Sequence, residues 1–260
     1  MDYPLKEENH DYWVSRLKNS PDTICTNDVK LDVMETNQIL SKLKNNSSIL
    51  EIGCGNGLLF KMVRKVVQNF DYFGTDFVME LIDICNKNFK VKNAKFKRLD
   101  MTQVNEKTFE KKFDFIISKR AIQNVIDQEL QLKTIENLGF HLENNGEMIL
   151  VESSSTSQSN INFERKKYGL HKISPPFHNL FFDDSVIKNY DFKNVYLEKI
   201  IPFASDFYFV TRIIYARLCK EFLKEKPTYD HPLEKIASSL VGLPVTDKYS
   251  QIQTYIFKKK

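Results

Sequence analysis

The segment Ile49–Gly57, which reads ILEIGCGNG, holds residues whose types and spacing could bind a charged or hydroxylated ligand. Glu51 stands two positions before Gly53, and glycine returns at Gly55 and Gly57. Glycine lacks a Cβ and tolerates positive φ, so alternating glycines let a tight turn approach a ligand closely. The carboxylate of Glu51 can pair with a cationic or amine-bearing group. This spacing differs from the G-x-G-x-x-G of dinucleotide-binding proteins, because glycine falls at every second position.

Two further acids follow predicted strands. Asp76 comes after the apolar stretch 71–75, about twenty residues beyond the glycine turn, and Asp100 follows the alternating stretch 94–99. An acid at the end of the second strand of an α/β fold commonly accepts hydrogen bonds from ribose hydroxyls. We predict that role for Asp76. The alternative for both acids is a helix cap, since their side-chain oxygens can satisfy exposed backbone N–H groups.

The elements that must position these residues alternate regularly. Apolar positions recur at helical spacing between short apolar runs, and Asn144–Gly146 is predicted to end the last of these helices. Alternation of this kind predicts a mostly parallel sheet covered by helices on both faces, with ligands bound outside the carboxyl ends of its strands. The five predicted strands are 48–53, 71–75, 94–99, 113–118 and 147–151.

The regular alternation stops after the fifth strand. The polar stretch Ser153–Asn160 is predicted to be a loop. Strands 6 and 7 are predicted over Asn194–Ile201 and Gln251–Phe257, and the stretch 203–248 between them is too long for a hairpin turn. We therefore expect a helical cap inserted between strands 6 and 7.

Three regions of one catalytic domain follow from these patterns. Residues 1–46 form an N-terminal helical segment covering the site, and Trp13 either lies over the site or anchors this segment. Residues 47–152 form the ligand-binding core. Residues 153–260 hold a polar loop, strands 6 and 7 and the cap.

Composition excludes several classes of function. The chain has 260 residues, 42% of them apolar, and a formal net charge of +4. That charge is modest, and no basic stripe or nucleic-acid motif accompanies it, so we expect no nucleic-acid partner. No apolar run reaches transmembrane length, and the polar start has no signal-peptide core. The four cysteines lack metal-ligand spacing, which predicts no metal and free thiols in a reducing cytoplasm.

The glycine turn with its two downstream acids resembles the E-x-G-x-G-x-G loop of class I S-adenosylmethionine (SAM)-dependent methyltransferases. The resemblance covers about residues 48–152 and implies a Rossmann-like seven-stranded α/β sheet, mostly parallel with strand 7 antiparallel. It also implies SAM as cofactor, S-adenosylhomocysteine (SAH) as product and a small-molecule methyl acceptor. The residues that it assigns to the cofactor are Glu51, Gly53, Cys54, Gly55, Gly57, Asp76, Phe77, Asp100, Met101 and Ser118.

A second resemblance concerns the methyl acceptor. The segments Arg120–Asn124, Pro176–Asn179 and Phe207–Arg212 resemble those of a bacterial subgroup that methylates small molecules, apparently in sugar or capsular-polysaccharide pathways. Phe177 replaces the tryptophan of that subgroup. The residues implied to bind the methyl acceptor are Arg120, Asn124, Arg165, Asn179, Tyr208 and Arg212. Arg120 and Arg212 are candidate clamps for an anionic group, and surface salt bridges are the alternative. For Arg165 the alternative is the solvated face of a short helix, and for Tyr208 it is core packing.

Methyl transfer to a hydroxyl usually needs a base. His178 is the first candidate, because imidazole titrates near neutral pH and this one lies in a Pro-flanked loop. A loop histidine that is merely hydrogen-bonded is the alternative. Glu152, after the fifth strand, is the second candidate, and the alternative for it is a carboxylate that only binds substrate hydroxyls or caps the following loop.

Three functions are therefore compatible with the sequence. The first is SAM-dependent methylation of an oxygen on a sugar, nucleotide-sugar or acidic metabolite of surface-polysaccharide synthesis. The second is N-methylation of a small amine or amide, since one fold hosts many methyl acceptors. The third is a non-catalytic SAM-binding protein.

Overall fold

The computed structural model describes residues 6–19, 26–240 and 246–260. Seven strands form one sheet in the order β3-β2-β1-β4-β5-β7-β6, in which β1 to β5 run parallel and β7 runs antiparallel to both β5 and β6. This arrangement confirms the predicted fold class. The strands are β1 (Ser48–Ile52), β2 (Asp71–Asp76), β3 (Ala94–Arg98), β4 (Phe113–Lys119), β5 (Leu142–Ser153), β6 (Val195–Ile201) and β7 (Ile252–Lys259).

Helices cover both faces of the sheet and form a layer above its carboxyl edge. A short 3₁₀ turn, Met101–Gln103, follows β3, and another, Ile122–Asn124, follows β4. The α-helices are α1 (Lys6–Asn19), α2 (Val29–Leu40), α3 (Leu58–Val66), α4 (Met79–Asn88), α5 (Gln128–Leu138), α6 (Ser155–Lys167), α7 (Asp184–Asn189), α8 (Ser205–Phe209), α9 (Ala216–Leu218) and α10 (Pro232–Ser239).

The sheet is buried on both faces because its central strands are apolar at successive positions. Ile49 of β1 and Ile117 of β4 belong to one core cluster, while Leu50 and Ile116 belong to the cluster on the opposite face. All four side chains are fully buried. Continuous apolar runs of this kind are typical of parallel strands covered by helices. The strand ends that carry the predicted site are thereby fixed relative to one another.

The predicted cap between strands 6 and 7 is helical. It begins with α8 and continues through two π-helical stretches, Val210–Tyr215 and Cys219–Leu223, to α10. Two of its own side chains, Phe207 and Tyr215, are fully buried. Residues 241–245 of the predicted cap lie outside the described part.

Two local predictions were wrong. Asn144–Gly146 does not end a helix: α5 ends at Leu138, and the three residues lie within β5. The pairing of β5 with β4 shifts register there, so Glu143, Asn144 and Asn145 bulge into solvent, while Gly146 is buried and the strand continues. Ser153–Asn160 is not a loop, because Ser154 caps α6 by accepting a hydrogen bond from the backbone N–H of Ser157 at 3.0 Å.

The structure bears on two of the exclusions drawn from composition. Among the described residues no helix is both long and apolar enough to cross a membrane. Cys54, Cys85 and Cys219 are free, buried thiols. Cys25 lies outside the described residues.

Candidate active site

A cavity of about 460 Å³ opens at the carboxyl ends of β1 to β4, beneath α1 and beside the helical cap. Most of the predicted site residues line it, and they come from sequence positions as distant as 51 and 212. The predicted residues among its lining are Glu51, Gly53, Cys54, Gly55, Asp76, Phe77, Asp100, Met101, Arg120, Asn124, His178, Asn179, Tyr208 and Arg212.

Glu51 reaches the cavity floor from the end of β1 and is 2% exposed. The phenol of Tyr72 on β2 donates a hydrogen bond to one of its carboxylate oxygens. Burial raises the pKa of Glu51 to about 7, although the bond from Tyr72 lowers it. Tyr72 is itself buried, so this pair fixes the orientation of the carboxylate from below.

Asp76 connects the glycine turn to the end of β2. One carboxylate oxygen accepts a hydrogen bond from the backbone N–H of Gly55 at 2.8 Å, and the other accepts from Val78 N–H at 2.9 Å. Burial raises the pKa of Asp76, and these backbone bonds oppose the rise. A carboxylate has about four lone-pair sites, so the capping role leaves sites for ligand hydroxyls. Asp76 can therefore accept these backbone hydrogen bonds and bind a ligand at the same time.

Both carboxylate oxygens of Asp100 already interact with other groups of the protein. One oxygen caps the turn after β3 by accepting from the backbone N–H and hydroxyl of Thr102, at 2.9 and 2.7 Å. The other lies 2.7 Å from Nζ of Lys6, the first residue of α1. Although burial opposes it, the bonds from Lys6 and Thr102 lower the pKa of Asp100.

Helix α1 supplies four side chains to the cavity lining, and of these the sequence suggested only Trp13. They are Asn9, Tyr12, Trp13 and Arg16. Trp13 lines the cavity and also packs, like Phe77, against Val78 and Leu81, so its placement over the site is the interpretation that the structure favours. The spacing of these four residues, at i, i+3, i+4 and i+7, describes one face of a helix, and this pattern could have identified them.

His178 lies at the end of the cavity away from Asp100, stacked on the ring of Tyr12 with centroids 4.0 Å apart. It is 7% exposed, and its Nδ1 has no hydrogen-bond partner among the described residues. Burial, together with the nearby charge of Arg16, lowers the pKa of His178 to about 4. The imidazole is therefore neutral at pH 7 and is a weaker base than the sequence led us to expect.

Glu152 is fully buried and is not part of the cavity lining. Its carboxylate accepts hydrogen bonds from the hydroxyl of Ser118 at 2.6 Å and from three backbone N–H groups, those of Ala121, Ile122 and Gln123. Burial raises its pKa to about 7 against the effect of these donors. The geometry matches the capping alternative and does not place Glu152 where it could take a proton from a methyl acceptor. The same contact turns Ser118 away from the predicted cofactor.

Two other predicted residues do not line the cavity. Arg165 donates hydrogen bonds to the backbone carbonyls of His171, at 2.8 Å, and of Arg212, which ties the loop after α6 to the cap. Gly57 begins α3 with φ of 79°, and a Cβ there would lie 2.5 Å from the ring of Phe89. Both residues shape the site from outside.

The hydrogen-bond acceptors of the cavity fit SAM. Three of its carboxylates, those of Glu51, Asp76 and Asp100, stand at the ends of three neighbouring strands. SAM carries hydrogen-bond donors at three places along its length, namely the ammonium, the ribose hydroxyls and the adenine amine. Phe77 and Met101 supply an apolar surface for a flat ring. The volume lies within the range of cofactor sites.

The position of Glu152 predicts a loss of stability when its carboxylate is replaced. In Glu152→Gln an amide NH₂ would face buried donors, so we expect the free energy of unfolding to fall by about 1–3 kcal/mol. Urea denaturation followed by circular dichroism measures this, with Glu143→Gln on the exposed bulge of β5 as the control. Equal stability of the two variants would contradict the capping role.

The raised pKa of Glu51 predicts a pH dependence of folding in the absence of ligand. A folded-state pKa above the unfolded one stabilises the protein below about pH 4.5, and that contribution is lost as pH rises to about 7. Between pH 5 and 8 the wild type should lose about 2–3 kcal/mol more unfolding free energy than Glu51→Gln. Exposed Glu7→Gln is the matched control. Parallel curves for wild type and Glu51→Gln would show that the carboxylate is not desolvated.

Comparisons with known proteins agree with this fold. The TehB-like SAM-dependent methyltransferase of Corynebacterium glutamicum has a similar structure, with a TM-score of 0.53 and 16% identity over 99% of this chain and 100% of that one. Magnesium protoporphyrin IX methyltransferase of Synechocystis, solved with bound SAH, gives a TM-score of 0.51 and 14% identity over 75% of this chain and 88% of that one. At these identities the likeness shows the fold.

Sequence comparison points the same way. A protein of Invertebrate iridescent virus 6 that is named as a methyltransferase, 235L, is 23% identical over 97 residues. The match covers 37% of this chain and 35% of the viral protein, so it spans about a third of that relative's length. A family model described as methyltransferase domain matches residues 43–174, about half of the chain, including β1 to β5 and the glycine turn. The chain belongs to the methyltransferase-domain family.

Proposed function

We propose that this protein transfers a methyl group from SAM to an oxygen of a small polar molecule, with a sugar of surface-polysaccharide synthesis as the class that the sequence resemblance favours. The observation that carries the proposal is the meeting of Glu51, Asp76 and Asp100 in the same cavity as His178. The three carboxylates can accept hydrogen bonds from a nucleoside that carries an amino-acid tail. The imidazole can accept a hydrogen bond from a hydroxyl group beside that nucleoside.

The bound cofactor supplies a methyl group activated on a sulfonium, so the residues of this chain have to hold, align and dehydrate the reactants. Asp76 accepts hydrogen bonds from ribose hydroxyls, and Glu51 accepts from the ammonium end. Helix α1 excludes water, because Trp13 and Tyr12 cover the cavity between β2 and His178. Alignment of this kind contributes on the order of 7 kcal/mol or more to rate enhancement in good cases.

His178 holds the proton of the methyl acceptor in this proposal. Its neutral imidazole accepts a hydrogen bond from the hydroxyl and orients an oxygen lone pair. The hydroxyl proton becomes strongly acidic as the new C–O bond forms, so a weak base suffices to take it late in the reaction. The low pKa of His178 keeps the imidazole unprotonated and ready over the physiological pH range.

N-methylation of a small amine is the second candidate. A small excess of acidic side chains beside the cavity favours it, because four carboxylates, those of Asp28, Asp32, Glu35 and Glu234, pair with only three cations. An amine that is neutral at working pH needs no base. Removal of the imidazole therefore distinguishes the two reactions.

The cofactor assignment is tested by calorimetric titration of the purified protein with SAM and SAH. We expect saturable binding of both, and Asp76→Ala should weaken it at least tenfold because the ribose hydroxyls and the glycine turn lose their shared partner. Asp83→Ala, on the exposed side of α4, is the control. Absence of SAH binding by the wild type would refute the proposed function.

The role of His178 is tested by kinetics and by NMR titration. We expect His178→Ala to lower kcat about 10²-fold or more, His178→Gln to retain part of the rate, and exposed His171→Ala to have no effect. The His178 Cε1–H signal should not shift between pH 8 and 5, since its pKa is about 4. An unchanged rate in His178→Ala would support N-methylation, and a titration near pH 6.5 would contradict the buried neutral imidazole.

A further inference from the structure

The arginine that the sequence suggested as an anion clamp on the cap is already occupied. The guanidinium of Arg212 lies 2.9 Å from a carboxylate oxygen of Asp28 before α2 and 3.1 Å from one of Glu234 on α10. The side chains of Asp28 and Glu234 are 6% and 1% exposed. Both sides of the guanidinium fork are thus used by buried carboxylates, and little of it is left for a ligand.

The second proposed clamp is occupied in the same way. Nε of Arg120 lies 3.1 Å from Glu35, whose side chain is fully buried. Neighbouring Lys119 lies 2.6 Å from Asp32, which also lies 3.7 Å from Arg120. Arg120 has φ of 55°, so its backbone adopts a conformation that a non-glycine residue rarely takes while α2 holds its side chain.

Together these side chains form an electrostatic network of three cations and four carboxylates, for a formal charge of −1, in which Oε1 of Glu35 and Oε2 of Glu234 have no hydrogen-bond partner among the described residues. A phosphate or carboxylate entering here would have to displace a buried carboxylate from its partner. The displaced charge would remain in a low-dielectric region without compensation. The network therefore opposes an anionic ligand, although it contains two arginines. Its members are Asp28, Asp32, Glu35, Lys119, Arg120, Arg212 and Glu234.

Two asparagines beside this network present hydrogen-bond acceptors that the protein does not use. Nδ2 of Asn9 donates to the backbone carbonyl of Asn124 at 2.8 Å, and Nδ2 of Asn124 donates to the carbonyls of Arg120 and Ala121. These bonds fix the orientation of both amides, because only an NH₂ group can donate to a carbonyl. The two Oδ1 atoms are buried and have no partner among the described residues.

Two more unpaired polar atoms lie on the loop that carries His178. Nδ1 of His178 and Oδ1 of Asn179 are buried and have no hydrogen-bond partner in the described part of the chain. Asn9, Asn124, His178 and Asn179 all line the same cavity. Buried polar atoms normally have hydrogen-bond partners, so three amide oxygens, which can only accept, and one imidazole nitrogen indicate a missing molecule that brings O–H or N–H groups.

We propose that the methyl acceptor is an uncharged, hydroxyl-rich molecule such as a neutral sugar, held by the amide oxygens of Asn9 and Asn124, and that phosphate- or carboxylate-bearing counterparts are rejected. The inference rests on the proposed function and narrows its substrate class. Arg120 and Arg212 face the bound molecule as closed ion pairs. They add shape and local dipoles without a net positive charge.

Arg16 provides the competing possibility. It lines the cavity from α1, and its guanidinium donates to the amide oxygen of Asn27 at 3.1 Å. An anionic group on the methyl acceptor could reach this arginine without disturbing the network. The experiment therefore includes a variant at this position.

Anion binding can be measured before the methyl acceptor is known. Protein loaded with SAH is titrated calorimetrically with glucuronate, glucose 6-phosphate and UDP. We expect no saturable binding of the three anions by the wild type up to 10 mM, on the order of the weakest binding that calorimetry detects. Glu234→Gln and Asp28→Asn each release part of Arg212 and should raise anion affinity at least tenfold. Glu221→Gln, which opens the exposed Arg217–Glu221 pair at 3.1 Å, is the matched control.

The outcomes distinguish a failure of this inference from a failure of the proposed function. Saturable binding of any of these anions by the wild type would overturn the inference. This holds whether Arg16→Gln abolishes that binding or leaves it intact. If a released variant fails to fold, the wild-type titrations still decide. Loss of SAH binding would instead refute the proposed function, since that site is titrated separately.

Transfer itself is then compared within matched sets by mass spectrometry. Each set contains a methyl hexoside, its uronate, its 6-phosphate and its 2-amino form, incubated with SAM. We expect transfer to a neutral member with kcat/KM at least tenfold above its anionic partners, and an increase in KM of at least tenfold in Asn9→Ala with the SAH affinity unchanged. Preferred methylation of the uronate, the phosphate or the amine would contradict the proposal.

Discussion

The loop after β4 depends on one buried carboxylate. Glu152 accepts the hydroxyl of Ser118 and three consecutive backbone N–H groups, from Ala121 to Gln123, and so gathers the start of a short 3₁₀ turn around a single charge. Four donors stabilise that charge in a region where desolvation opposes ionisation. With this loop fixed, Arg120 and Asn124 are held on the cavity side. Ala121 is held against the glycine turn, where a Cβ on Gly53 would lie 2.2 Å from its own Cβ.

The rest of the site is built outward from that loop by side chains that satisfy one another. Helix α2 supplies Asp32 and Glu35 to Lys119 and Arg120, and α10 supplies Glu234 to Arg212. When one partner of an ion pair with so little exposure is removed, the stability of the protein typically falls by about 3–5 kcal/mol, because the other charge stays buried without compensation. The cap and the N-terminal helices are therefore joined to the sheet by charge as well as by apolar packing. The presence of two arginines beside the cavity therefore does not by itself indicate an anion-binding site, because both are paired with carboxylates of the protein.

The sequence located most of the residues that meet at the carboxyl ends of β1 to β3, because the signals there are local. A glycine turn between a strand and a helix has few uses, and Asp76 and Asp100 each follow a strand whose periodicity is legible. The opposite side was harder, because partners come from distant segments: nothing in the order of residues shows that Arg212 meets Asp28, or that Glu152 points beneath a loop. The stretch Ser153–Asn160 is misleading for a related reason, since its polar residues make a helix whose buried face packs on strands far along the chain. Asn9, Tyr12, Trp13 and Arg16 were legible as a helical face, but nothing local tied that face to a cavity.

Helix α1 touches both ends of the cavity. Lys6 pairs with Asp100, which is assigned to the cofactor, and Tyr12 stacks on His178, which is assigned to the methyl acceptor. One helix therefore contacts both the proposed cofactor side and the proposed methyl-acceptor side of a single cavity. A displacement of α1 would uncover both sides together, so under the proposed function the exchange of cofactor and of methyl acceptor would be linked through this helix.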